Sequence, residues 1–201
     1  MRKYIKIHNN KKTKEKRKTF VFYRYKSMMK FKFFKTQRLI IRRLTKEDAK
    51  SISSYRSIPE VAEFQSWSSF SEVDSEKLIE ESNNSDPQIK GKWFQFGIEV
   101  IKTGELIGDI GFLNSDEQGK SWIGFTLNSE FWHQGYATEA VTAILSHYAD
   151  IGIHIVWAST ASENHSSKKL LERLGFELSD SKPDDLIFKK QLFSTIKTTS
   201  L

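Results

Sequence analysis

The sequence predicts a mixed α+β domain with a central, mostly antiparallel sheet flanked by helices. Three observations predict it. The strand-like runs "WFQFGIEVI", "LIGDIGFL" and "SWIGFTL" follow one another through short turn segments, as an antiparallel meander does. The segment "YATEAVTAILSHYADIG" carries Tyr136, Ala140, Ile144 and Tyr148 at i+4 steps, the spacing of one helix face. Beyond it lie another apolar run and a second helix pattern that ends in "LGF".

At 201 residues the chain suits one domain with a proper core. It has no cysteine, which excludes disulfides and thiolate metal sites and is compatible with a reducing compartment. The five histidines lack ligand spacing, so no metal is expected. Charge is uneven. Fourteen of the 32 Lys/Arg but one of the 25 acids fall in residues 1–35, a local balance of +13 that leaves the remainder at −6. Residues 1–32 therefore read as a basic, disordered extension, 33–194 as the folded domain and 195–201 as a short tail. A basic arm can also bind phosphate backbones, so RNA or ribosome contact is an alternative reading of it. A start at Met28 or Met29 is another. Basic residues interrupt "TFVFYRYKSMMKFKFF", so it is no secretory signal, and no run approaches the roughly 20 apolar residues of a membrane span. A cytoplasmic protein, monomer or homodimer, is expected.

The elements follow in order. "RLIIRRLT" is strand-like. Thr45 is placed to cap the following helix, with Glu47 and Asp48 in the first turn, where the helix dipole favours acids. "EVDSEKLIEES" is a helix and "NNSDPQIKGK" a loop. The three-strand meander comes next, then the long helix, stopped by Gly152. "IHIVWAST" reads as a buried strand. "SENHSSKKLLERLGF" is a helix ended by Gly175, with Phe176 folding back as in a Schellman cap. "FELS" and "DLIFKKQL" are closing strands.

Chemistry concentrates in "WHQGYATEA". The first amides of any helix lack internal partners, and the peptide dipoles put about half a positive charge there. Gly135 and Ala137 leave room for close approach, so the turn is either an anion nest suited to a diphosphate or a plain strand-to-helix turn.

Four segments decide between them. "FKTQRLIIRRLTKEDA", "TGELIGDIGF", "IGFTLNSEFWHQGYATEA" and "SENHSSKKLLERLGFE" stand in the order expected of a GNAT-superfamily N-acetyltransferase. The chain resembles the RimJ/RimL-like branch, the ribosomal-protein N-acetyltransferases, across nearly all of 33–190. The resemblance implies a sheet whose fourth and fifth core strands splay to admit acetyl-CoA. Backbone groups of Phe125, Thr126 and Leu127 would pair with the pantetheine amides. His133, Gln134, Gly135, Tyr136, Ala137 and Thr138 would wrap the diphosphate. Asn164 would contact the cofactor. Ser167, in place of the superfamily tyrosine seven residues after the asparagine (here Leu171), would protonate or hydrogen-bond the departing CoA sulfur.

Departures from the family pattern are informative. Trp132 stands where the superfamily often has Gln or Arg, and this branch commonly has an aromatic there. "WIGF" replaces the frequent "EIGY", so Trp122 removes the usual acid near the amine. Glu139, Glu99 and Asp109 remain as candidate bases, each with a structural alternative. The implied reaction is direct acetyl transfer to a primary amine, first of all a protein N-terminal α-amine. A small-molecule amine, such as an antibiotic or metabolite, and a non-catalytic CoA-binding module tethered to RNA are the alternatives. "EFQSWSSF" reads as helix packing, or as one wall of the acceptor cleft.

Overall fold

The computed structural model describes residues 33–194, so the expectations for the basic extension and the C-terminal tail lie outside the described residues. Eight strands form one sheet in the order β1-β2-β3-β4-β5-β6-β8-β7. They are β1 (Phe33–Lys35), β2 (Leu39–Arg43), β3 (Trp93–Val100), β4 (Leu106–Leu113), β5 (Ser121–Leu127), β6 (Ile155–Ala161), β7 (Glu177–Ser181) and β8 (Asp185–Gln191). Five helices accompany them: α1 (Ala49–Arg56), α2 (Pro59–Ala62), α3 (Glu72–Asn83), α4 (Tyr136–Asp150) and α5 (His165–Arg173). The first five strands form an antiparallel meander, and β5 and β6 are the parallel pair, joined through α4.

Local chemistry sets the element ends. Thr45 precedes a 3₁₀ turn, Lys46–Asp48, that leads into α1, and the Asp48 carboxylate accepts from the Thr45 N–H at 2.7 Å. Ser71 caps α3 by accepting from the Asp74 N–H. Gly152 and Gly175 follow their helices with φ of 94° and 78°. The Phe176 N–H reaches back to the Leu171 carbonyl at 3.0 Å, and both side chains are buried, which completes the Schellman motif.

Alternation assigns the two faces. Phe94, Phe96, Ile98, Ile110, Phe112, Ile123, Val156 and Ala158 point into the main core. There they meet Ala140, Ile144 and Tyr148 of α4, and Tyr148 stacks on Phe112. The opposite face carries a smaller core of Leu44, Ile52, Tyr55, Ile79 and Leu106 beneath α1 and α3. One sequence reading needs correction. β6 is buried on one face only, with Ile155 49% exposed, because the face that carries Ile155 and Ser159 is left uncovered there. The short strand β1 is an addition that three residues cannot announce by periodicity, and α2 is one of the helical pieces of the 58–90 stretch.

Candidate active site

The sheet parts between its two parallel strands. β5 and β6 are paired at Ser121–Val156 and Trp122–Trp157 alone. Beyond those positions Ile123–Leu127 pair with β4 and Ala158–Ala161 with β8, so the facing edges diverge with no ladder between them. Unpaired strand edges of this kind offer N–H and C=O groups to an extended, amide-bearing arm. Phe125, Thr126 and Leu127 lie on the diverging edge, with Thr126 and Leu127 buried and Phe125 packed against the main core. The Leu127 carbonyl already accepts from the Trp132 indole N–H at 2.8 Å. That bond accounts for the aromatic at position 132, since it pins the following loop to the end of β5.

The loop then turns through two left-handed residues, His133 (φ 59°) and Gly135 (φ 80°). None of the backbone N–H groups from His133 through Thr138 donates a hydrogen bond among the described residues. They cluster at the N-terminus of α4, where the helix dipole favours negative charge. A diphosphate fits this set. An open groove of about 570 Å³ continues along α4, lined by Thr36, Gly135, Thr138, Thr142 and, from α5, Arg173.

Arg38 is the residue that sequence reasoning missed here. Its Nε donates to Glu139 at 2.7 Å, its Nη1 donates to the Gln134 carbonyl at 2.9 Å, and its guanidinium lies 4.2 Å from the Tyr136 ring centroid. Nη2 makes no hydrogen bond among the described residues, and it lies 3.4 Å from where a side chain on Gly135 would begin. The sequence places Arg38 about a hundred residues from the loop, and "TQRL" carries no local sign of that contact.

Asn164 and Ser167 sit at the open end of the splay, because α5 begins just after β6. Asn164 Oδ1 caps α5 by accepting from the Ser167 N–H at 2.9 Å. The Ser167 hydroxyl is half-buried and makes no hydrogen bond among the described residues.

The three remaining acids are all paired with arginine. Glu139 accepts from the Thr36 hydroxyl, the Arg38 N–H and the Arg38 guanidinium. Burial opposes its ionisation, yet these bonds together hold its carboxyl below the usual range. Glu99 pairs with Arg42 at 2.5 Å. Asp109, with no exposed surface, pairs with Arg56 at 2.7 Å and accepts from the Tyr55 hydroxyl and the Gln95 amide. Trp67 and Phe70 hold the Arg56 guanidinium at 4.4 and 4.7 Å from their ring centroids, so two of the three aromatics of "EFQSWSSF" pack on that ion pair from a loop beyond α2. No group of three or more potential metal ligands occurs among the described residues.

A sheet split between parallel strands, with a turn of free amides at its mouth, defines a domain that holds an acyl-CoA thioester. The chain belongs to the acetyltransferase (GNAT) domain family, whose sequence model matches residues 38–177. It is 33% identical over 144 residues to the uncharacterized N-acetyltransferase p20 of Bacillus licheniformis, covering 71% of this chain and 80% of that one. It is 28% identical over 149 residues to the uncharacterized N-acetyltransferase YoaA of Bacillus subtilis, covering 73% and 84%. Among solved structures, a GNAT-family acetyltransferase from Bacillus anthracis shares the fold with a TM-score of 0.68 and 24% identity over 79% of this chain and 98% of that one. RimL, a ribosomal L7/L12 α-N-protein acetyltransferase solved with coenzyme A, does so at 0.67 and 16% over 80% and 98%. The protein is an acetyl-CoA-dependent N-acetyltransferase. No helix among the described residues is long and apolar enough to cross a membrane.

Proposed function

We propose that the acceptor is an α-amine at a protein N-terminus. The observation that carries this reading is that, among the described residues, each candidate carboxylate around the splay is already engaged. Trp122 stands beside the splay, and its indole N–H donates to Asp116 at 2.9 Å, while Glu99, Asp109 and Glu139 are each held by an arginine. An α-amine, with pKa near 8, is substantially neutral at physiological pH, whereas a lysine side chain near 10.4 needs a base. The likeness in fold to RimL supports the same choice.

Acetyl-CoA supplies a thioester whose acetyl group passes to the amine. His133 to Thr138 hold the diphosphate on their free amides, and Arg38 braces that loop and adds positive charge beside it. Phe125 to Leu127 align the pantetheine arm, and an N–H of that edge stabilises negative charge on the carbonyl oxygen. Asn164 orders the start of α5, which presents the Ser167 hydroxyl to the departing sulfur. Holding donor and amine in one cleft contributes several kcal/mol through effective concentration. The supply of acetyl-CoA supports a cytoplasmic setting.

Thiol release from acetyl-CoA across a panel of N-terminal peptides, lysine-side-chain peptides and small amines tests the proposal. Peptides with a free α-amine are expected to react fastest. Faster reaction with lysine side chains or antibiotic-like amines would overturn it.

A further inference from the structure

Strand register places Trp93, Leu113, Trp122 and Trp157 in one straight row across four strands. Trp93 is the cross-strand partner of Leu113, Leu113 of Trp122, and Trp122 of Trp157. Each immediate neighbour, Phe94, Phe112, Ile123 and Val156, points into the main core, so all four side chains of the row stand on the opposite face. Helices α1 and α3 pack over the other end of that face, around Leu44, Tyr55 and Leu106, and the last turn of α3 reaches β3 at Gln95 through Ser82. Trp93 is 51% exposed, and Leu113, Trp122 and Trp157 are half-buried.

The next row inward is nearly without side chains. Gly111 pairs with Gly124. Trp93 and Gln95 lie across Gly111, but nothing approaches within 4 Å of where a side chain on Gly124 would start. The resulting hollow is bounded by Trp122 two residues before and by Thr126 two residues after. One strand further, β5 and β6 separate. A group lying in the hollow is therefore beside the cleft that takes the acyl arm.

We propose that this tryptophan row is the acceptor shelf, and that it selects an α-amine whose own residue carries a flat aromatic side chain. The inference rests on the α-amine reading above and narrows it. Aromatic rings recognise one another through offset or edge-on contact, and indole is the largest such surface a side chain offers. Trp122 and Trp157 are already fixed for this, with ring centroids 6.1 Å apart at a 40° tilt, the Asp116 carboxylate on the Trp122 N–H and the Lys120 ammonium over Trp157. In the transfer, the amine gives its proton to water, the N–C bond forms as the C–S bond breaks, and the electron pair leaves on sulfur.

The test compares kcat/KM for tripeptide amides beginning with Phe, Trp, Ala and Ser, and for phenylalanine amide as a small-molecule source of the same chemistry. Aromatic N-termini are expected to be preferred about tenfold or more. Trp122→Ala and the more exposed Trp93→Ala should each erode that preference, and Trp122→Phe should restore part of it. Gly124→Val, at a position of ordinary backbone geometry with open space above it, should abolish turnover of every acceptor and keep acetyl-CoA affinity. Equal use of Ala- and Phe-starting peptides overturns the shelf but keeps the α-amine reading, as does an unchanged preference in both tryptophan variants. Turnover confined to lysine side chains overturns both. Phenylalanine amide reacting as well as the Phe peptide places recognition in the first residue alone.

Discussion

Arg38 and Glu139 meet at 2.7 Å and tie the start of β2 to the first turn of α4. The pair does more than join two elements. Glu139 accepts from three donors of the Thr36–Arg38 segment, and Arg38 passes that rigidity to the Gln134 carbonyl inside the loop of free amides. The loop's shape is thus set by the turn between β1 and β2, outside it.

Removing that brace should cost cofactor affinity. Arg38→Ala is expected to weaken acetyl-CoA binding at least tenfold, the low end of the about 1.5–3 kcal/mol of a charge-assisted hydrogen bond. Arg38→Lys, which keeps charge but loses the planar fork, should recover little. Equilibrium binding measured by calorimetry checks both.

The same carboxylate makes stability pH-dependent in a definite direction. Glu139 titrates below its ordinary value in the folded chain. Its stabilisation is therefore complete above the unfolded pKa of about 4.3 and fades as pH falls through the lowered folded value. Thermal melts from pH 7 down to pH 3 should show a smaller acid loss for Glu139→Gln than for the wild type.

Asp109 is expected to act on folding. It is fully buried, with Arg56, Tyr55 and Gln95 all donating to it. Asp109→Ala leaves the Arg56 charge buried without its partner, which costs about 3–5 kcal/mol. Urea denaturation should register that loss. A variant that folds with wild-type stability but fails to turn over would instead make Asp109 a base.

Ser167→Ala separates chemistry from binding. The hydroxyl caps nothing, since the helix cap is made by Asn164 to the Ser167 backbone, so the fold should be indifferent to its loss. Turnover is expected to fall by about tenfold or more, as for loss of a proton donor, with acetyl-CoA affinity unchanged. Equal turnover rejects the role.

Local signals carried most of the fold. The i+4 row on α4, the glycine-ended helices and the meander's turns are short-range features; the three meander strands and α4 formed within a residue or two of their expected spans, while the last helix is three residues shorter at each end, His165–Arg173. The β6 error has a physical reason. A run such as "IHIVWAST" looks apolar throughout, but Trp157 and Ile155 face the open side of the sheet, and only topology decides that. In the site, the turn at Gly135 and the Asn164 cap could be read from local residue types. The Arg38 brace, the Arg56–Asp109 pair and the tryptophan row could not, because each joins residues distant in sequence through register or tertiary packing.

The free amides around Gly135 are where the account is most exposed. Gly135 holds φ at 80°, which a β-branched side chain tolerates poorly, and a Cβ there would meet Arg38. Calorimetric titration of acetyl-CoA into the wild type and Gly135→Val tests this most directly. The prediction is saturable binding to the wild type and at least a tenfold loss in a variant that still melts cooperatively. Undiminished affinity in that variant would contradict the placement of the diphosphate.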